Sequence, residues 1–334
     1  MGSVLVIGGT TFFGKAIVEQ LLEQGHQVTV FSRGQQQPSF FDQVTHVKGD
    51  RSQADDFAQL GGQSFDAVID NIAYTAVDVR QALDLFKGNI GRYIFTSSAA
   101  SYYTASMTMP SKEADVDFGF KPPEDEKDSP LWTYTMGKIE GEQALFDQAD
   151  VPFTIIRPPV VLGPEDVTLR GYFYFQRLMD GKPLLLSNSG VQSFRLAYSL
   201  DLAKGYLLAM NTPKAAGQAY NLAQGEVVTL QKLIQLSAEA LDIEPNVVNV
   251  PFDLFKQTDF EYPETYANMI NFMLDNGKAE SELGYKTTPF KDWLTTTVHW
   301  YRDKYQGKNS SGYENREQEV KFAEWFKQST QGWQ

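Results

Sequence analysis

Cysteine is absent from the 334 residues, which excludes disulfides, thiol nucleophiles and thiolate zinc sites. Histidine is nearly absent as well: His26, His46 and His299 are too few and too scattered for an imidazole metal cluster, so no metal site is expected. No apolar run approaches the ~20 residues needed to cross a bilayer. The first residues pass straight into a strand pattern rather than into a basic stretch followed by a signal-like apolar segment, so the expected location is the cytoplasm. Positive charge is scarce, with 29 Lys and Arg against 42 Asp and Glu and a formal net charge of -13. That balance argues against nucleic acid or anionic lipid as partners, because both draw their affinity from accumulated cations. What the chain does have is 42% hydrophobic and 21% charged residues, the make-up of a globular protein with one large domain or two joined lobes.

The first half alternates strand-sized apolar runs with amphipathic helix-length segments, the pattern of a parallel sheet covered on both faces. Strands are expected at 4–7, 27–31, 45–47, 67–69, 93–96 and 153–156. A helix whose Ile17, Val18, Leu21 and Leu22 share one face separates the first two and ends at Gly25. Residues 101–130 hold four prolines and many acids without periodicity, which reads as a long surface loop or lid. Helical spacing resumes over 131–145. The fold class is thus α/β, a Rossmann-type doubly wound parallel sheet with a smaller C-terminal substrate lobe. The expected division is a dinucleotide-binding domain over 1–160 with returns near 194–225, a substrate lobe mainly over 161–306, and a tail over 307–334. In that tail 307–313 reads as a polar linker and 317–326 as a final helix that docks through Val320, Phe322 and Phe326.

The turn from the first strand into the first helix reads Gly8-Gly9-Thr10-Thr11-Phe12-Phe13-Gly14. Backbone amides at a helix start can meet a pyrophosphate, and glycine lets the chain approach it closely. The second strand runs out into Ser32-Arg33-Gly34, with no Asp or Glu to hold adenosine ribose hydroxyls. A guanidinium there suits a 2'-phosphate, so NADP(H) is expected to be preferred, with NAD(H) left open. Asp50 and Arg51 close the third strand, Asp50 as an acceptor for the adenine amino group or as a helix cap. Ile72, Ala73, Ser97, Pro158 and Val160, near the carboxyl ends of later strands, complete the expected cofactor contacts.

The fifth strand delivers Ser97 and Ser98 at its carboxyl end, where open parallel sheets bind ligands. Farther on, Tyr134 and Lys138 stand four apart in a helix and so fall on one face. A phenol has a pKa near ~10, and acid–base work near neutrality requires a nearby cation to lower it by roughly 2 to 3 units. Tyr134 is therefore the expected proton carrier and Lys138 its cation and a ribose ligand, while Ser98 holds the substrate oxygen. A Tyr-x-x-x-Lys spacing alone is weak, but Tyr134 is the only tyrosine of the chain with Lys four positions later. Arg170 and Arg195, in the expected second lobe, are candidates for a substrate anion.

These segments resemble a known family, the extended short-chain dehydrogenases with their NAD-dependent epimerases and dehydratases. The resemblance rests on the glycine turn, Phe95 to Ala100, Tyr134 to Lys138, Arg157 to Pro164 and Glu282 to Tyr285. The glycine turn and Asn188 to Gln192 look closest to an atypical branch that includes chloroplast stem-loop RNA-binding proteins. The resemblance implies an NAD(P)-dependent oxidoreductase, with an epimerase that keeps its cofactor as the alternative and an RNA-binding protein on the same scaffold as a third reading. Three departures qualify it. Thr11 stands in place of the usual middle glycine, and Ala99 and Ala100 stand where sugar dehydratases carry an acid–base pair. Val160 and Tyr198 replace residues frequent at nucleotide-sugar sites, although Tyr198 stays a candidate for substrate contact. The expected partner is a small-molecule substrate, with neither nucleic acid nor membrane, and a homodimer is left open.

Overall fold

The computed structural model describes residues 2–105, 109–148, 150–256, 260, 262–266 and 273–331. The chain forms two compact units. The first runs to Val161 and takes back Leu196–Gly225 and Leu274–Thr287; the second holds Leu162–Arg195, Glu226–Met273 and the remainder from Thr288. The return of Leu274–Thr287 has no counterpart in the sequence reading.

The first unit is built on a seven-stranded parallel sheet. Its strands are β1 (Ser3–Ile7), β2 (Gln27–Ser32), β3 (Thr45–Lys48), β4 (Ala67–Asp70), β5 (Tyr93–Thr96), β6 (Phe153–Arg157) and the edge strand Gln218–Asn221. Their spatial order is β3-β2-β1-β4-β5-β6 followed by Gln218–Asn221. The register sets Val4 of β1 beside Val28 on one side and Ala67 on the other. Chain direction across the sheet reverses between β1 and β4, which opens a crevice at the carboxyl ends of these strands.

The inner strands β1, β2, β4, β5 and β6 are largely apolar and buried because both faces are covered, whereas β3 at the edge is exposed or half-buried throughout. Val4 and Val6 enter one core with Ala16, Ile17, Val18 and Leu21 of helix α1 (Phe12–Glu23). Leu5 and Ile7 enter the other, which also holds Phe57 of α2 (Ala54–Ala58), Val79 and Leu83 of α3 (Ala76–Phe86) and Leu145 of α4 (Pro130–Phe146). Each such fully buried side chain contributes roughly 1.5–3 kcal/mol. Local signals set the helix ends. Gly25, with φ of 77°, follows α1. Thr75 and Asp78 form a capping box on α3. On α4, Ser129 accepts from the Trp132 amide and Pro130 occupies the first turn.

The segment 101–130 is not wholly a surface loop. A short 3-10 helix, Ala99–Thr104, buries Ser101, Tyr102 and Thr104, and Ser111 and Val116 are buried beyond it. The Tyr102 hydroxyl donates to Asn221 Oδ1 at 2.6 Å, and the Arg157 guanidinium donates both to that hydroxyl and to the Glu113 carbonyl. A run of polar residues hides these contacts from sequence periodicity, because what it binds comes from β6 and the edge strand. Residues 106–108 lie outside the described residues.

In the second unit, helix α5 (Arg170–Met179), the paired strands Leu184–Ser187 and Val247–Val250, and helices Leu230–Leu241 and Phe290–Asp303 form the body. The tail is docked rather than loosely linked. Ser310 is buried against Gln176 and Arg177, and the terminal helix Arg316–Ser329 supplies Glu319, whose carboxylate pairs with Arg177 at 2.5 Å. Phe322, Ala323 and Phe326 pack on the strand residues Leu185 and Val248, and Val320 is half-buried, as the two phenylalanines are. No described helix is long and apolar enough to cross a membrane.

Candidate dinucleotide and reaction site

Four strand ends converge on one groove of the first unit, with a volume of about 530 Å³. The glycine turn contributes Gly8, Thr10 and Thr11; β2 contributes Ser32, Arg33 and Gly34; β3 contributes Gly49, Asp50 and Arg51; and the segment after β4 contributes Ile72, Tyr74 and Asp78. Gly8 has φ of +85°, and a Cβ there would lie 2.6 Å from the Ile72 side chain. At Gly14 a Cβ would collide with the Gly8 carbonyl, so the helix can begin this close to the strand only with glycine at that position. Phe12 adopts the left-handed region with φ of 49° and is buried, and Phe13 stacks on Tyr206 at 6.5 Å. These two phenylalanines fix the turn from behind and do not line the groove.

The groove suits a dinucleotide. Thr11 makes no side-chain cap to the start of α1, and the first turn of that helix contains no acid. Its outward amides and the positive end of its dipole are therefore left for an anion. The buried Asn71 Nδ2, on the segment against Gly14, has no hydrogen-bond partner among the described residues.

Arg33 is exposed at the rim, beside Asp50, while the Ser32 hydroxyl is within 3.0 Å of His46 Nε2 and accepts from the Gly34 amide. Asp50 is not a helix cap: one carboxylate oxygen accepts from the Ser52 amide and hydroxyl, and these bonds hold its pKa below the usual carboxylate range.

Two of the expected cofactor side chains are committed elsewhere. Arg51 borders the groove, but its guanidinium turns inward to Asp70 Oδ2 at 2.5 Å and to the Asp78 carbonyl at 2.6 Å. The Ser97 hydroxyl donates to the buried Glu142 carboxylate, which also binds Arg157. In both cases a bond to a buried carboxylate takes the side chain away from the groove. Pro158 and Val160 follow β6, where their carbonyls accept from the amides of Ala99 and Ala197.

Around the reaction pair, the Lys138 side chain is buried. Its Nζ donates to the Ala73 carbonyl at 2.7 Å and to the Thr96 carbonyl at 2.8 Å, which lie just beyond β4 and at the end of β5. Burial pushes its pKa down to about 8, against the pull of Asp70, Asp78 and Glu142. The Tyr134 ring centroid lies 5.8 Å from that ammonium and is 39% exposed, so the phenol is open to a substrate while its cation is not. Ser98 is half-buried at the end of β5, and its hydroxyl accepts from the Ala100 amide. Ala73 thus acts through its carbonyl on Lys138.

Among substrate candidates, Tyr198 lies in the first unit, where burial and then Asp201 raise its pKa, and Arg170 and Arg195 lie in the second. Tyr74 was not anticipated. It lines the groove, its ring lies 6.3 Å from that of Tyr134, and burial followed by the Tyr134 phenol raises its pKa. Thr75 and Asp78, readable as a capping box, were the local signal that this segment is held in place.

Comparisons with known proteins agree with this architecture. The Arabidopsis thaliana protein named chloroplast stem-loop binding protein of 41 kDa b is 30% identical over 301 residues, covering 85% of this chain and 74% of that one. A 2-alkyl-3-oxoalkanoate reductase of Stenotrophomonas maltophilia is 28% identical over 255 residues, covering 69% and 73%. The crystal structure of a UDP-glucuronic acid 4-epimerase from Bacillus cereus, in complex with NAD, superposes with a TM-score of 0.69 at 17% identity over 91% of this chain and all of that one. Residues 4–223 match the NAD dependent epimerase/dehydratase family, and the chain belongs to it.

Proposed function

We propose that this protein is an NADP(H)-linked oxidoreductase that interconverts a carbonyl and an alcohol on a small-molecule substrate, with Tyr134 as acid and base. The observation that carries the reading is the joint placement of Tyr134 and Lys138: the ammonium is clamped between the ends of β4 and β5, and the phenol is open above it. When bound, the dinucleotide supplies or accepts the hydride. Tyr134 gives its proton to the substrate oxygen in reduction and takes it back in oxidation. Lys138, whose pKa burial lowers to about 8, is still largely protonated at neutral pH and supplies the positive charge beside the Tyr134 ring. Ser98 would donate a hydrogen bond from its hydroxyl to the same substrate oxygen. For the cofactor, Thr10, Thr11 and the α1 amides would hold the pyrophosphate and Arg33 a 2'-phosphate.

Tyr134→Phe is expected to abolish turnover and leave dinucleotide binding intact; turnover retained in that variant refutes the role. Michaelis constants for the two cofactors test Arg33, and a clear NAD(H) preference defeats the NADP(H) assignment. A second reading follows from the similar epimerase solved with NAD. Protein that carries NAD through purification and shows no net nicotinamide turnover would favour an epimerase.

A further inference from the structure

Lys138 is enclosed more tightly than its pairing with Tyr134 requires. Two of its three N–H donors are spent on the Ala73 and Thr96 carbonyls. Three aromatic rings surround the ammonium, with centroids at 4.6 Å for Tyr74, 5.2 Å for Phe95 and 5.8 Å for Tyr134. Phe95 is a core residue of β5 and would be apolar in any case. Tyr74 is different: it is 51% exposed, so core packing does not account for an aromatic ring there, yet it is the ring nearest the cation.

The main chain of Tyr74 is fixed on both sides. Its amide donates to Asp78 Oδ2 at 2.8 Å, and its carbonyl lies so close to Gly137 of α4 that a Cβ at 137 would collide with it. Gly137 immediately precedes Lys138, so the same close approach that requires glycine brings the Tyr74 ring over the ammonium.

We propose that Tyr74 is a positioning residue of the reaction site, its ring face closing the open side of the Lys138 ammonium between the dinucleotide groove and the Tyr134 phenol. Its meaning for catalysis rests on the Tyr134 and Lys138 reading above, but its effect on the ammonium does not. The ring acts in two ways that oppose each other. Its negative face favours the cation, and its bulk keeps water away, which disfavours it. The other groups that bear on Lys138 are Asp70, Asp78 and Glu142, which favour its charge, and Arg51, which opposes it.

The opposition gives a signed test. The full-length chain, labelled with 13C at lysine Cε, is titrated by NMR without dinucleotide or substrate, and the Lys138 signal is assigned by its loss in Lys138→Gln. Tyr74→Phe keeps the ring face and should titrate with the parent. Tyr74→Leu excludes water without a ring, and its midpoint should fall by roughly 0.4 to 1.5 pH units. Tyr74→Ala loses the ring face as leucine does but also admits water, so its midpoint should lie above that of Tyr74→Leu. Four coincident midpoints, or a phenylalanine variant that moves with leucine, overturn the proposal. Should alanine unfold the protein, the leucine variant against the phenylalanine variant still separates ring from bulk, and coincident leucine and phenylalanine midpoints overturn the proposal; should leucine unfold it, a phenylalanine midpoint displaced from the parent does so. Failure here leaves the Tyr134→Phe result standing, and a failed Tyr134→Phe test leaves these midpoints unchanged.

Discussion

Replacing Glu142 by Gln tests whether the floor of the reaction site is held by a single buried charge. The Glu142 carboxylate receives Arg157 Nε at 2.9 Å and Nη2 at 2.5 Å, together with the Ser97 hydroxyl, and the two side chains are 0% and 1% exposed. The amide keeps the shape and removes the charge, leaving a guanidinium buried without its counter-ion. An exposed ion pair would cost ~1 kcal/mol or less, but breaking a buried one costs roughly 3–5 kcal/mol. For a cooperative unit of this size each kcal/mol lowers the melting temperature by roughly 2–4 °C, so a fall of about 6–20 °C is expected by scanning calorimetry. Glu142 lies one helical turn beyond Lys138 on α4, and Ser97 directly precedes Ser98, so the loss should also disturb the end of β5 that carries the proposed Ser98 contact. The double variant Glu142→Leu with Arg157→Met removes both charges and should recover much of the loss, since an apolar pair of similar volume is often no worse than a buried ion pair. A single variant within ~1 kcal/mol of the parent, or a double variant no better than the single, would refute the argument.

Two further perturbations probe other parts of the molecule. Gly14→Ala drives a methyl into the Gly8 carbonyl and must displace the first turn of α1. Overpacking of this kind costs roughly 1–3 kcal/mol, so dinucleotide affinity measured by calorimetric titration should weaken by about 10-fold or more, and unchanged affinity would show that α1 does not hold the pyrophosphate. In the second unit, burial raises the Glu264 carboxyl to about 7, and its Oε2 has no partner among the described residues. A carboxyl whose folded pKa exceeds its unfolded value adds stability below the unfolded value, and this is lost as pH rises through the folded one. Stability should therefore fall by up to about 3 kcal/mol between pH 4.5 and 7 on account of this group. Glu264→Gln should flatten that slope in denaturant titrations, and an unaltered slope would show that the carboxyl ionises freely.

The sheet was legible because its inner strands are buried on both faces and so appear as largely apolar runs with sharp ends; the expected strands agree with β1 to β6 to within a residue at each end, β3 included although it is exposed or half-buried. The Tyr134 and Lys138 pair was legible for a stricter reason: a helix fixes the relation of two residues four apart whatever surrounds it. Interactions between residues distant in sequence were not legible. Nothing in the sequence joins Glu142 to Arg157, and Arg177 and Glu319 are separated by most of the second unit and the tail. Tyr74 reaches Lys138 only because Gly137 lets two segments touch, and nothing in either segment alone encodes that approach.

Arg33 and Arg51 bring the limit into focus, and with it the cofactor question. Both follow a strand at the same edge of the groove, and sequence alone gives them the same claim on a phosphate. The fold separates them through their surroundings. Arg51 can reach Asp70 at the end of β4 and Asp78 in the first turn of α3, and a guanidinium buried beside two carboxylates binds them rather than a ligand. Arg33, at the rim, stays exposed with Asp50 as its charged neighbour. A 2'-phosphate reader must keep its charge available to an incoming anion, and of these two arginines only Arg33 meets that condition. The NADP(H) assignment consequently rests on one residue, and Arg33→Ala should erase any preference for NADP(H) while leaving NAD(H) binding nearly unchanged; a preference that survives the substitution removes its physical basis.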